Sequence, residues 1–145
     1  MWVLLGWMGV IFFSSTSFAA DEGERAFTNL CQMIMPHWHK GAGSYGAAHF
    51  VAHKIIHVFL FSVLGILLWK VLPEVRWKIA LMLLLGALVG SCSELLQSFF
   101  PERDPAISDV LINTGGTALG ITISIVFTRF RARSHSRRDA EFSRA

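Results

Sequence analysis

Four apolar stretches, Met1–Ala20, Phe50–Trp69, Trp77–Phe100 and Ile107–Phe127, account for most of this 145-residue chain. Each has about the 20 residues that a helix needs to cross roughly 30 Å of hydrocarbon. Only 16% of the residues are charged, against about 25% in ordinary soluble domains, and the mean hydropathy is +0.51. No room is left for a separate soluble domain. The sequence therefore predicts an all-α, four-helix transmembrane bundle over residues 1–128, followed by a basic tail, 129–145, expected to be disordered.

The first stretch ends in Ser17-Phe18-Ala19-Ala20, similar to a signal-peptidase site. A signal peptide, however, opens on a positive region, and no Lys or Arg precedes Arg25. A retained helix is the expectation. Basic residues then set the orientation. Arg129, Arg131, Arg133, Arg137, Arg138 and Arg144 crowd the tail, and Lys70, Arg76 and Lys78 mark the connection between the second and third stretches. Excess Lys and Arg stay on the cytoplasmic side, so four spans put both termini inside and residues 21–49 and 101–106 outside. The expected location is a bacterial inner membrane. An arginine cluster directly after an apolar helix reads as a topology signal and an attraction to anionic lipid, and nucleic acid is not an expected partner.

Polar residues inside the apolar runs are the second informative feature. His53, Lys54 and His57 open the second run, Glu94 and Gln97 close the third, and Asp109 and Asn113 open the fourth. Ionisable groups at such positions are costly unless paired or wet, and by default they mark a functional site. Counting 1.5 Å per residue from the basic ends, His57 lies about 20 Å along its helix and Glu94 about 24 Å along the next. Both fall in the outer third of the membrane, where Asp109 and Asn113 begin the last span. Each set shares a helix face at i,i+3 or i,i+4, so three polar faces can converge at one depth.

Three blocks in order, His53-Lys54-Ile55-Ile56-His57, then Glu94-Leu95-Leu96-Gln97-Ser98-Phe99-Phe100-Pro101-Glu102-Arg103, then Ser108-Asp109-Val110-Leu111-Ile112-Asn113-Thr114-Gly115-Gly116, resemble the VanZ-like family. That family's pattern reads D-K-x-x-H, E-x-x-Q with a following F-x-P-x-R, and S-x-x-D-x-x-x-N-x-x-G. The resemblance covers roughly residues 50–125. Ser108 abuts Asp109 instead of preceding it by three, so only Asp109 and Asn113 carry over from the last block. His53 stands where the family usually has an aspartate, and this chain lacks a permanent carboxylate there. The family is named for a protein giving resistance to teicoplanin, a lipid-tailed glycopeptide that acts at the outer face. No established reaction comes with the name.

Three readings of the cluster stay open. One is a structural network, with Lys54 and Arg103 neutralising Glu94 and Asp109 while Gln97 and Asn113 complete the hydrogen bonds. A second is a pocket for a lipid headgroup or lipid-tailed ligand, its phosphate bound by Lys54, Arg103 and protonated histidine, with resistance following from altered or shielded envelope lipid. The third is catalysis on a lipid-linked substrate, with His57 as general base beside Glu94 or Asp109; Ser91, Ser93 and Ser108 are nearby, but no recognised triad frames them. Transport is the weakest, because the first span carries no acidic residue.

No cofactor or metal is expected. His49, His53 and His57 repeat at i, i+4 and i+8, but such a series drifts about 40° per step, and Lys54 would oppose a cation. His37 and His39 sit upstream in the outer loop. Cys31 and Cys92 fall in the outer loop and the third span, which predicts no disulfide between them. Gly86-xxx-Gly90 and Gly116-xxx-Gly120 permit close helix approach, with packing inside one chain preferred over a homodimer seam. The segment Gly41–Gly46 is expected as a flexible approach to the second helix, Pro73 as a break, and Asp104-Pro105 as an N-cap and first turn.

Overall fold

A computed structural model describes residues 1–16, 25, 26, 29, 33, 42–100 and 106–142, with side chains omitted at 42–50, 52 and 135–142. Among the described residues four helices can be delimited: α1 (Trp2–Ser14), α2 (Ala42–Val71), α3 (Lys78–Gln97) and α4 (Ile107–Phe142). Three of them contain segments long and apolar enough to cross a membrane, His53–Val71, Lys78–Gln97 and Ile107–Ser134. The fold class is all-α, as the apolar stretches predict. α1 is a shorter apolar helix, about 20 Å long at 1.5 Å per residue. The rest of its apolar run, 17–20, lies outside the described residues.

Two boundaries differ from the sequence expectation. α2 begins at Ala42, so Gly43–Gly46 are helical and not a flexible approach. Glycine costs only about 1 kcal/mol per position in a helix, and a long apolar segment downstream has already met the cost of nucleation. α4 continues to Phe142, past the apolar stretch that ends at Phe127, where arginine, a good helix former, recurs in a helix that packing has already started. Pro73 does separate α2 from α3. The Asp104-Pro105 start lies outside the described residues; Asp109 is in the first turn of α4.

Glycines set how the helices meet. α2 and α4 run in the same direction and touch backbone to backbone. A Cβ on Gly65 would strike the Thr117 carbonyl, and one on Gly120 would strike the Ser62 carbonyl. Gly116 sits against Val58 and Phe61 in the same way. α3 packs antiparallel to this pair, with Gly86 under Thr117 and Gly90 under Asn113. Both glycine pairs therefore serve packing within the chain. α1 is fastened by the Trp7 indole N–H, which donates to the Leu60 carbonyl at 2.9 Å, and by buried Ile11.

The burial pattern is that of a protein in lipid. Phe59, Leu84, Leu88, Leu111 and Val126 face outward, while Ser93, Glu94, Gln97, Asp109, Asn113 and Thr117 are buried. At the α2–α3 turn, Lys78 is buried with its ammonium 2.5 Å from Glu74 and 4.5 Å from the Trp69 ring. Trp77 is exposed beside it, under the Arg76 guanidinium. Tryptophan and long cations together are a boundary arrangement.

Candidate functional site

Polar side chains from α2, α3 and α4 meet at the end of the bundle opposite that turn. On α4, Asp109, Asn113 and Thr117 occupy successive turns of one buried stripe, as i,i+4 spacing requires. Lys54 of α2 forms an ion pair with Asp109, whose Oδ1 also accepts from the Ser108 hydroxyl at 3.2 Å. One turn deeper, the His57 Nδ1 lies 2.9 Å from the Asn113 Oδ1 in a fully buried contact. The His53 and His57 rings are 4.4 Å apart, and Phe61 stacks below His57 at 6.4 Å.

α3 closes the third side. The backbone N–H of Ala106, just before α4, donates to the Glu94 Oε2 at 3.3 Å, which ties that carboxylate to the start of the last helix. Gln97 is 2% exposed and Asn113 0%. The amide nitrogens of both, Nε2 and Nδ2, have no hydrogen-bond partner among the described residues. Seven of the eight residues picked from the sequence, His53, Lys54, His57, Glu94, Gln97, Asp109 and Asn113, are thus placed on the facing sides of three helices. Arg103 lies outside the described residues.

The arrangement offers several donors with a carboxylate on either side. Its serines are already engaged. Ser91 donates to the Ala87 carbonyl, and the Ser93 hydroxyl shares a 2.6 Å hydrogen bond with Ser15 of α1. Among the described residues no group of three or more His, Cys, Asp or Glu is placed to hold a metal ion; the side chains of His37, His39 and His49 fall outside them, as does Cys31. Cys92 is free and exposed.

Two buried groups next to the site escape a reading by family motif. Thr117 continues the Asp109–Asn113 stripe by one more turn, so the i,i+4 rule alone could have found it. Ser15 is fully buried and brings α1 against the residue preceding Glu94. Its Oγ also donates back to the Ile11 carbonyl at 3.0 Å. Ser14 and Thr16 beside it bond back along their own helix, to the Ile11 and Phe13 carbonyls.

The comparisons with curated proteins and with solved structures return no match. The family profile VanZ/LLP1 matches residues 1–128, which takes in α1, α2, α3 and most of the membrane-crossing segment of α4. This chain belongs to the VanZ/LLP1 family of membrane proteins.

Proposed function

We propose that this protein sits in the bacterial inner membrane as part of the cell envelope and that its polar cluster binds the headgroup of a lipid or lipid-tailed ligand at the outer leaflet. Contribution to resistance against teicoplanin is the phenotype that such binding would produce. The carrying observation is the pair of buried amide nitrogens on Gln97 and Asn113 without partners among the described residues. A network kept only for helix register gains by satisfying every donor, since an unmet buried donor costs about 1–3 kcal/mol. Donors beside Lys54 and His57 suit a ligand rich in acceptor oxygens, such as a phosphate or carboxylate, and the apolar outer faces suit its tails.

The engaged serines favour binding over acyl transfer, because the hydroxyls of Ser91, Ser93 and Ser108 are directed to the Ala87 carbonyl, to Ser15 and to Asp109 instead of to His57. The test is expression of the full chain in a susceptible Gram-positive host, with teicoplanin and its untailed relative vancomycin as probes. Glu94→Gln, Asp109→Asn and Gln97→Leu should each remove protection against teicoplanin, with membrane levels near those of the parent. Lipid extracts should show a retained lipid and no converted product. Survival of the phenotype in all three variants would reduce the cluster to a structural role, and a new lipid product would mean catalysis.

A further inference from the structure

Beyond the Gly65–Gly120 crossing the parallel helices α2 and α4 leave a groove of about 470 Å³ at the opposite end of the bundle from the polar cluster. Ile66 and Trp69 form one wall, Ile123 and Phe127 the other, and Lys70 and Arg131 stand at its mouth. On the far side of Phe127 a second apolar trough of about 580 Å³ runs along α4 past Val126 and Phe130, sharing Ile123, Phe127 and Arg131 with the first. A ridge thus ends in an arginine and has an apolar trough on either flank.

We propose that this groove binds one anionic diacyl phospholipid, with its phosphate between Lys70 and Arg131 and its two acyl chains astride the Ile123–Phe127 ridge. Volume fits first: both troughs lie in the range of roughly 300–1,000 Å³ typical of ligand pockets. Charge fits next. Both lining cations are exposed, neither is in an ion pair among the described residues, and no carboxylate lines either trough. The other polar groups on the α4 wall are spoken for, because Ser124 donates to the Gly120 carbonyl and Thr128 to the Ser124 carbonyl. Lys70 and Arg131 are the charged groups left to meet a headgroup. The Arg131 guanidinium lies 6.0 Å from the Phe127 ring, which holds it over the ridge. Basic pockets between membrane helices are known to select anionic headgroups, and each cation near the surface contributes about 1 kcal/mol.

This site stands apart from the polar cluster, and its fate does not depend on that cluster's ligand. The full chain is reconstituted in vesicles of phosphatidylglycerol and phosphatidylcholine, extracted in mild detergent, and its retained lipids are weighed by native mass spectrometry. The parent should retain one phosphatidylglycerol in clear excess over its share of the bilayer. Lys70→Gln and Arg131→Gln should each cut that preference about fivefold, whereas Arg129→Gln and Arg133→Gln, each likewise removing one positive charge near that end of the bundle, should leave it unchanged. Thr128→Phe fills the groove with all charges kept and should also abolish retention. Equal loss in the Arg129/Arg133 control would reduce the effect to diffuse attraction by the tail and overturn the proposal. So would retention surviving both Thr128→Phe and the Lys70/Arg131 variants, or a dimer of the parent that Thr128→Phe breaks, which would assign the groove to a second copy.

Discussion

Lys54 on α2 and Asp109 on α4 form an ion pair across the helix interface, with side chains only 19% and 7% exposed. Low exposure makes the pair asymmetric in its energetics. Taking away Lys54 leaves the Asp109 carboxylate in a poor solvent with only the Ser108 hydroxyl donating to it, whereas taking away both removes the desolvation cost as well. Lys54→Met should destabilise the detergent-solubilised protein by about 3 kcal/mol, the low end for a buried pair, and Asp109→Leu by less, because Lys54 is the more exposed of the two and keeps a further contact. The double variant should recover most of that loss. Thermal unfolding of all four proteins is the check, and a double variant as unstable as the sum of the singles would count against a buried pair.

The glycines of α4 differ in what faces them, and their alanine variants should differ accordingly. Gly120→Ala drives a methyl group into the Ser62 carbonyl, which is backbone and cannot swing aside. Overpacking of this kind costs typically 1–3 kcal/mol, and here it would also spread α2 from α4 directly above the lipid groove. Gly115 has nothing within 4 Å of its Cβ position, so Gly115→Ala should be neutral or stabilising by up to about 1 kcal/mol from helix propensity. Protease resistance in detergent would rank the two. Equal behaviour would mean that the α2–α4 crossing is looser than described.

How much of this could be read from sequence varies with the physics behind each signal. Apolar length alone located α2, α3 and α4, because the bilayer thickness is a fixed ruler. It missed the ends, at Ala42 and Phe142, since helix boundaries outside the hydrocarbon are set by weak propensities. Convergence of the polar cluster followed from depth and face counting. The particular pairings did not, because whether Lys54 meets Asp109 or Glu94 depends on helix rotation about an axis. That rotation is set by Gly65, Gly116 and Gly120, whose spacing was visible but whose partners on α2 were not. The groove at the basic end left no motif at all, being a shape between two helices.

Asn113 joins the two halves of the cluster. Its Oδ1 meets His57 of α2 at 2.9 Å, and its Cβ lies 3.1 Å from where a side chain on Gly90 of α3 would begin. Hydrogen bonds inside membranes average about 0.6 kcal/mol and reach about 1.7, so Asn113→Leu should cost little more than that in unfolding. Its effect on ligand retention should be far larger, at least tenfold, if the amide nitrogen contacts a bound headgroup. Measuring both on one preparation separates the roles. A variant that loses stability and ligand in proportion would make Asn113 a packing residue.

Orientation is the last expectation, and it can be tested with residues whose exposure is known. α2 and α4 are parallel, so Lys70 and Arg131 share one end of the bundle, and excess Lys and Arg favour the cytoplasm. With that orientation the start of α4 would face the outside, which is where a lipid-tailed antibiotic would arrive. In a chain with Cys31 and Cys92 replaced by serine, Ile107→Cys is exposed at the start of α4 and Ser134→Cys at the end of its membrane-crossing segment. A membrane-impermeant maleimide should label the first in intact cells and the second only after permeabilisation. The reverse order would turn the polar cluster toward the cytoplasm, and binding of an external glycopeptide at that site would no longer be tenable.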